Sequence, residues 1–172
     1  MTSTIFTIGF TKKTAEEFFR LLREAQVQKL IDIRENRVGQ LAGFAKYPDL
    51  AFFLDRVLGI AYDYQPIFAP SVKIRTAYRK TRDWAQFAKS FRELMRQRRV
   101  LDGVDSASFE GRVALLCSEA EPDKCHRRLV AEMLAKHWTS QGHQIEVKHL
   151  GSPKPVPRKK RTRASHEGPD SI

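Results

Sequence analysis

The stretch Val113-Ala-Leu-Leu-Cys-Ser-Glu-Ala-Glu-Pro-Asp-Lys-Cys-His-Arg-Arg128 decides the fold. Its first five residues form an apolar run too short for a helix, the pattern of a strand buried on both sides of a sheet. Leu129, Val130, Met133 and Leu134 then recur at helical spacing, and Asp123 is the expected helix cap. A buried strand that runs directly into a helix is half of a parallel β-α-β unit.

The same alternation extends outward in both directions. Ile5-Phe-Thr-Ile8, ending at Gly9, reads as a first strand. Thr14-Ala-Glu-Glu17 has capping-box spacing, and Phe18, Leu21, Leu22 and Ala25 follow on one helical face. Lys29-Leu-Ile-Asp-Ile33 is a second buried strand, followed by a loop over 35–47. Pro48-Asp49 opens a helix expected to bury Leu50, Phe53, Leu54, Val57 and Leu58, with Gly59 as its stop. Ile60-Ala-Tyr-Asp-Tyr64 alternates like a strand, Trp84 to Met95 marks a helix over roughly 83–98, and Ile145 to His149 forms a last strand. The expected fold is α/β: a three-layer Rossmann-like domain over residues 1–150, with a mostly parallel central sheet and helices on both faces. Residues 151–172 carry four prolines and a basic cluster without apolar periodicity, and read as a disordered tail.

Composition narrows the classes further. The chain has 172 residues, a formal charge of +11 and two cysteines, which argues against a disulfide-stapled secreted module. No signal peptide or membrane span is visible, so a soluble cytoplasmic protein is expected. The positive charge favours phosphate-containing partners, either a small molecule or a nucleic acid. The sequence names no cofactor and sets no oligomeric state.

In such a fold, ligands bind beyond the carboxyl ends of the strands, and that rule selects residues. The strand ends offer Gly9, Asp32, Arg34, Cys117 and Glu119, and the last helix brings Cys125, His126 and Arg127. With Asp123 as cap, Cys125 and His126 fall near the second and third helical positions, where backbone N–H groups favour a thiolate. Either cysteine is a candidate nucleophile or a packed core residue. Asp32, Glu119 and His126 are candidate proton carriers, while Arg34 and Arg127 are candidate anion clamps. A Cys-x7-Cys-His spacing is no recognised zinc pattern, so no metal is assigned, and a Cys117–Cys125 redox pair is not expected in a reducing compartment. Lys89, Arg92, Arg96 and Arg99 form a basic helical stripe that would suit a phosphate backbone.

Thr7-Ile-Gly-Phe10, Leu30-Ile-Asp-Ile-Arg34 and Leu115-Leu-Cys-Ser-Glu119 with Cys125-His-Arg127 resemble the Domain of Unknown Function 488 family. Gln40-Leu-Ala-Gly-Phe-Ala-Lys46 resembles one branch of it, and the resemblance covers roughly residues 4–150. It implies a Rossmann-like α/β fold, the pocket residues named above, and a loop in which Gln40 and Lys46 cover the pocket. The leading expectation is an enzyme acting on a phosphorylated small molecule, a nucleotide or a nucleic-acid end. The alternative is a non-catalytic, basic nucleic-acid-binding module.

Overall fold

The computed structural model describes residues 2–39 and 42–151. The expected tail from Ser152 onward and the predicted pocket residue Gln40 lie outside the described residues. Five strands, β1 (Thr2–Gly9), β2 (Lys29–Asp32), β3 (Ala61–Tyr64), β4 (Arg112–Cys117) and β5 (Gln144–His149), form one sheet. Every pairing is parallel and the order is β3-β2-β4-β1-β5. The apolar run of β4 is central because both of its faces are covered. Val113 and Leu115 join a core with Ile5, Ile31, Phe91 and Leu134, while Ala114 and Leu116 join another with Phe6, Ile8, Phe18 and Leu50. The two cores are the two outer seams of a three-layer α/β structure.

Helix α1 (Ala15–Glu24) begins as its capping box predicts, with the Thr14 hydroxyl accepting from the Glu17 amide at 3.1 Å. Helix α2 (Asp49–Phe52) widens into a π-helical stretch, Phe53–Leu58. The wider turn breaks the 3.6-residue period, so Val57, expected inside, is 67% exposed. Helix α3 (Val72–Thr81) is capped by the Ser71 side chain and buries no residue. Helix α4 (Trp84–Gln97), capped by Asp83, buries Phe87, Ala88, Phe91 and Met95; the short α5 (Val100–Gly103) follows. Helix α6 (His126–Ser140) connects β4 to β5. Among the described residues, no helix is long and apolar enough to cross a membrane.

Connectivity places the crevice. From β2 the chain moves to the neighbouring β3 on one side, whereas from β4 it travels the other way, past β1, to β5. The connections therefore diverge between the carboxyl ends of β2 and β4, which is where open α/β sheets leave a ligand-sized gap.

Candidate active site

Cys117 is the last residue of β4, and Cys125 caps the helix that follows the intervening loop. The cap differs from the expected one. A turn closes first, with the Cys125 amide donating to the Pro122 carbonyl at 3.1 Å, so the helix starts at His126 rather than behind Asp123. Cys125 is therefore the cap residue and His126 the first helical residue, two positions earlier than the spacing suggested. The consequence is contact. The Cys125 thiol donates to the Cys117 sulfur at 3.1 Å, and Nδ1 of His126 lies 3.5 Å from that same sulfur. Nε2 of His126 lies 3.4 Å from the Ile33 carbonyl, an acceptor that fixes the N–H on this nitrogen and leaves Nδ1 to share a proton with Cys117. Phe91 packs on the imidazole at 5.8 Å and holds its plane.

Burial works against ionisation of the Cys117 thiol. The Cys125 thiol, His126 and the Glu119 amide outweigh it and hold Cys117 well below the usual thiol value. Burial, and then the charge on Cys117, push Cys125 well above that value. Burial alone would lower His126, but Cys117 and the Ile33 carbonyl raise it. Of the two thiols, Cys117 is therefore the one whose thiolate the surroundings favour, with His126 as its proton partner.

Arg127 lies behind the cysteine pair, next to Cys125. It is fully buried, and among the described residues no carboxylate forms an ion pair with it. Its Nη1 donates to the Glu119 carbonyl and lies 3.6 Å from the Cys125 sulfur, and its Nη2 donates to the Ala120 carbonyl at 3.0 Å. Its Nε has no partner. A buried cation without a carboxylate needs acceptors, and the Glu119 and Ala120 carbonyls supply them. Gly9, opposite Cys117 in the sheet, permits this packing because a Cβ there would collide with the Glu119 carbonyl and the Arg127 guanidinium.

Asp32 is fully buried and accepts from Nε and Nη2 of Arg34 at 2.8 and 2.7 Å, from the Arg34 amide at 3.2 Å and from the Tyr62 hydroxyl at 2.8 Å. Arg34 also donates to the Ala45 carbonyl at 2.9 Å, tying loop 35–47 to the strand end. Asp32 thus meets no ligand directly, and most donors of Arg34 are already engaged. Lys46 ends the turn Gly43–Ala45 and does not line the cleft.

The cleft at the β2/β4 divergence has a volume of about 680 Å³. Cys117, Cys125 and His126 lie on its wall, together with Arg34 and the exposed Glu119. Arg75 and Arg79 of α3 and its cap residue Arg82 also line the cleft, with Lys124 beside the cysteines. These four cations were not singled out in the sequence as site residues. For the three arginines the signal was the basic segment after Ser71, a good helix cap followed by cations at spacings of four and three; Lys124 had none beyond its place next to Cys125. Arg75 pairs with Glu35, whereas Arg79 and Arg82 face the opening. The stripe Lys89, Arg92 and Arg96 lies on a separate groove of α4. Arg96 is bound there by Glu93, and Arg99, beyond the helix end, is bound by Asp102.

Among the described residues, Cys117, Cys125 and His126 form a group that could hold a metal, with ligand atoms within 4.8 Å of one another. The two sulfurs, 3.1 Å apart, are closer than the roughly 3.8 Å that two thiolates keep around tetrahedral zinc. The two sulfurs are in hydrogen-bonding contact. A family model described as "Domain of unknown function DUF488" matches residues 14–134. No curated protein and no solved structure matches the chain.

Proposed function

The chain belongs to the DUF488 family, and on that premise we propose that it is a cysteine-dependent enzyme acting on a phosphate-bearing small molecule, nucleotide or nucleic-acid end. The observation that carries this reading is the Cys117 sulfur against Nδ1 of His126 at the wall of a cationic cleft. A nucleophile, a proton partner and a third group orienting that partner are the components of nucleophilic catalysis, with the Ile33 carbonyl in the orienting role. Arg79, Arg82 and Lys124 bind the phosphate oxygens by charge-assisted hydrogen bonds. The Cys117 sulfur then attacks phosphorus, an S–P bond forms and the P–O bond to the leaving group breaks. The departing oxygen takes the proton from His126 or Glu119, and water or an acceptor hydroxyl releases the phosphoryl group from sulfur. Arg127 and the buried Asp32–Arg34 pair act as positioning residues behind this wall.

The test is a screen of phosphate monoesters for turnover. Cys117→Ser should abolish it and Cys125→Ser should leave the first bond-breaking step intact. Turnover unchanged in both variants, or no phosphate compound bound in the cleft, would overturn the reading.

A second reading rests on the exposed groove of Lys89, Arg92 and Arg96. With the basic residues 152–172, it would bind a nucleic-acid backbone, and removal of those residues should then lower both affinity and its salt dependence.

A further inference from the structure

The chain contains two cysteines, and the fold brings both to one point. They are eight residues apart, each almost wholly buried, yet both reach the cleft wall. Nucleophilic catalysis requires one thiol, so the second is unexplained by the proposed function. Its thiol donates to the Cys117 sulfur, at a separation that needs only about 1 Å of closure to reach the 2.05 Å of a disulfide. Neither sulfur sits mid-element. Cys117 ends its strand and Cys125 precedes its helix, so the loop between them can absorb that shift. The cleft admits a water-sized oxidant while its cationic rim surrounds the sulfur.

We infer that Cys117 and Cys125 are a redox pair, in which a hydroperoxide oxidises Cys117 and Cys125 closes on it to form an intrachain disulfide that silences the site. The inference rests on the assignment of Cys117 as the reactive thiol. In the first step the Cys117 thiolate attacks the terminal peroxide oxygen. An S–O bond forms and the O–O bond breaks, and the departing alkoxide takes the His126 proton to leave as an alcohol. Sulfur is oxidised by two electrons and the peroxide is reduced by two. In the second step the Cys125 sulfur attacks the sulfenic acid. An S–S bond forms, the S–O bond breaks, and the hydroxide departs with the Cys125 proton as water. The sum is dithiol plus hydroperoxide giving disulfide, alcohol and water. A small-molecule thiol reverses it by exchange. The reducing compartment expected from the sequence argued against a redox pair, but transient, redox-sensing disulfides do form there, and the contact between the two sulfurs favours one.

Trypsin makes the bond visible because it cuts after Arg112, Lys124 and Arg127, separating the two cysteines onto peptides 113–124 and 125–127. The full-length reduced chain is treated with stoichiometric hydrogen peroxide, quenched in acid, alkylated and digested. The expected result is a linked 113–124/125–127 pair, two hydrogens lighter than the sum, with loss of alkylation at both cysteines and full recovery after dithiothreitol. In Cys125→Ser the sulfenic acid should persist at Cys117 and be trapped by dimedone, while Cys117→Ser should leave Cys125 reduced. Over-oxidised Cys117 with free Cys125, or two unreacted thiols, overturns the inference. A parallel phosphate-protection assay separates the two proposals. Disulfide formation without phosphate protection refutes the phosphate reading alone, and protection without a disulfide refutes the redox pair alone.

Discussion

Replacing Asp32 by Asn asks whether the acid at the end of β2 is a catalytic base or the anchor of the site wall. The carboxylate is fully buried and Arg34 beside it is 3% exposed, joined through two side-chain hydrogen bonds of 2.8 and 2.7 Å. Asn keeps the size and one acceptor oxygen, enough for the Arg34 amide at Oδ1 but not also for the Tyr62 hydroxyl at Oδ2, and it removes the charge. The guanidinium is then left buried and uncompensated, at a cost of about 3–5 kcal/mol. For a domain of this length, that corresponds to a fall in Tm of roughly 6–20 °C. Urea unfolding followed by circular dichroism should show a lower midpoint at an unchanged slope. A loss below about 1 kcal/mol, the level of an exposed pair, would refute the anchoring role. Full stability with abolished turnover would return Asp32 to a catalytic one.

Other perturbations probe the site from different sides. Nδ1 and Nε2 of His126 followed by NMR should titrate above 6.5 in the intact chain and move downward in Cys117→Ser, where burial acts without the thiolate. The same pair sets a stability window. Raised His126 contributes stability that is full below 6.5 and lost as pH rises through its folded value. Depressed Cys117 contributes stability that is full above 9.0 and lost as pH falls through its own folded value. The His126 contribution therefore declines toward alkaline pH and the Cys117 contribution toward acid pH, and urea unfolding of the intact chain and of Cys117→Ser across pH should separate the two. Gly9→Ala should cost about 2 kcal/mol or more by pushing the Glu119 carbonyl and Arg127 apart, measured as a shift of the urea midpoint. Arg79→Gln or Arg82→Gln should weaken phosphate binding about three- to tenfold, or roughly 0.7–1.4 kcal/mol, by calorimetry at low salt, with the fold unchanged.

Much of the architecture was legible because few physical signals compete in it. The run Val113 to Leu116 is buried on both sides and reads as a central strand for that reason alone. Thr14 and Asp83 cap their helices where side-chain chemistry requires. Three features were hidden. Helix α3 buries no residue, so it has no apolar stripe to announce it, and with it went Arg75, Arg79 and Arg82. The π-helical widening after Phe52 exposed Val57 against its helical pattern. The turn at Pro122 moved the start of α6, which converted two separate candidate thiols into one touching pair. Strand-end residues were thus readable as a group, whereas their division between cleft wall and buried support depended on side-chain pairing. Arg34 was committed to Asp32, and Arg127 to the Glu119 and Ala120 carbonyls.

Alkylation by iodoacetamide as a function of pH, read separately on peptides 113–124 and 125–127, tests the Cys117-centred site most directly. Cys117 is expected to react rapidly at neutral pH, with an apparent pKa well below the ordinary value of about 8.5 and protection by inorganic phosphate, while Cys125 reacts slowly. Slow reaction of both cysteines until the pH exceeds that ordinary value, or faster reaction at Cys125, would contradict it.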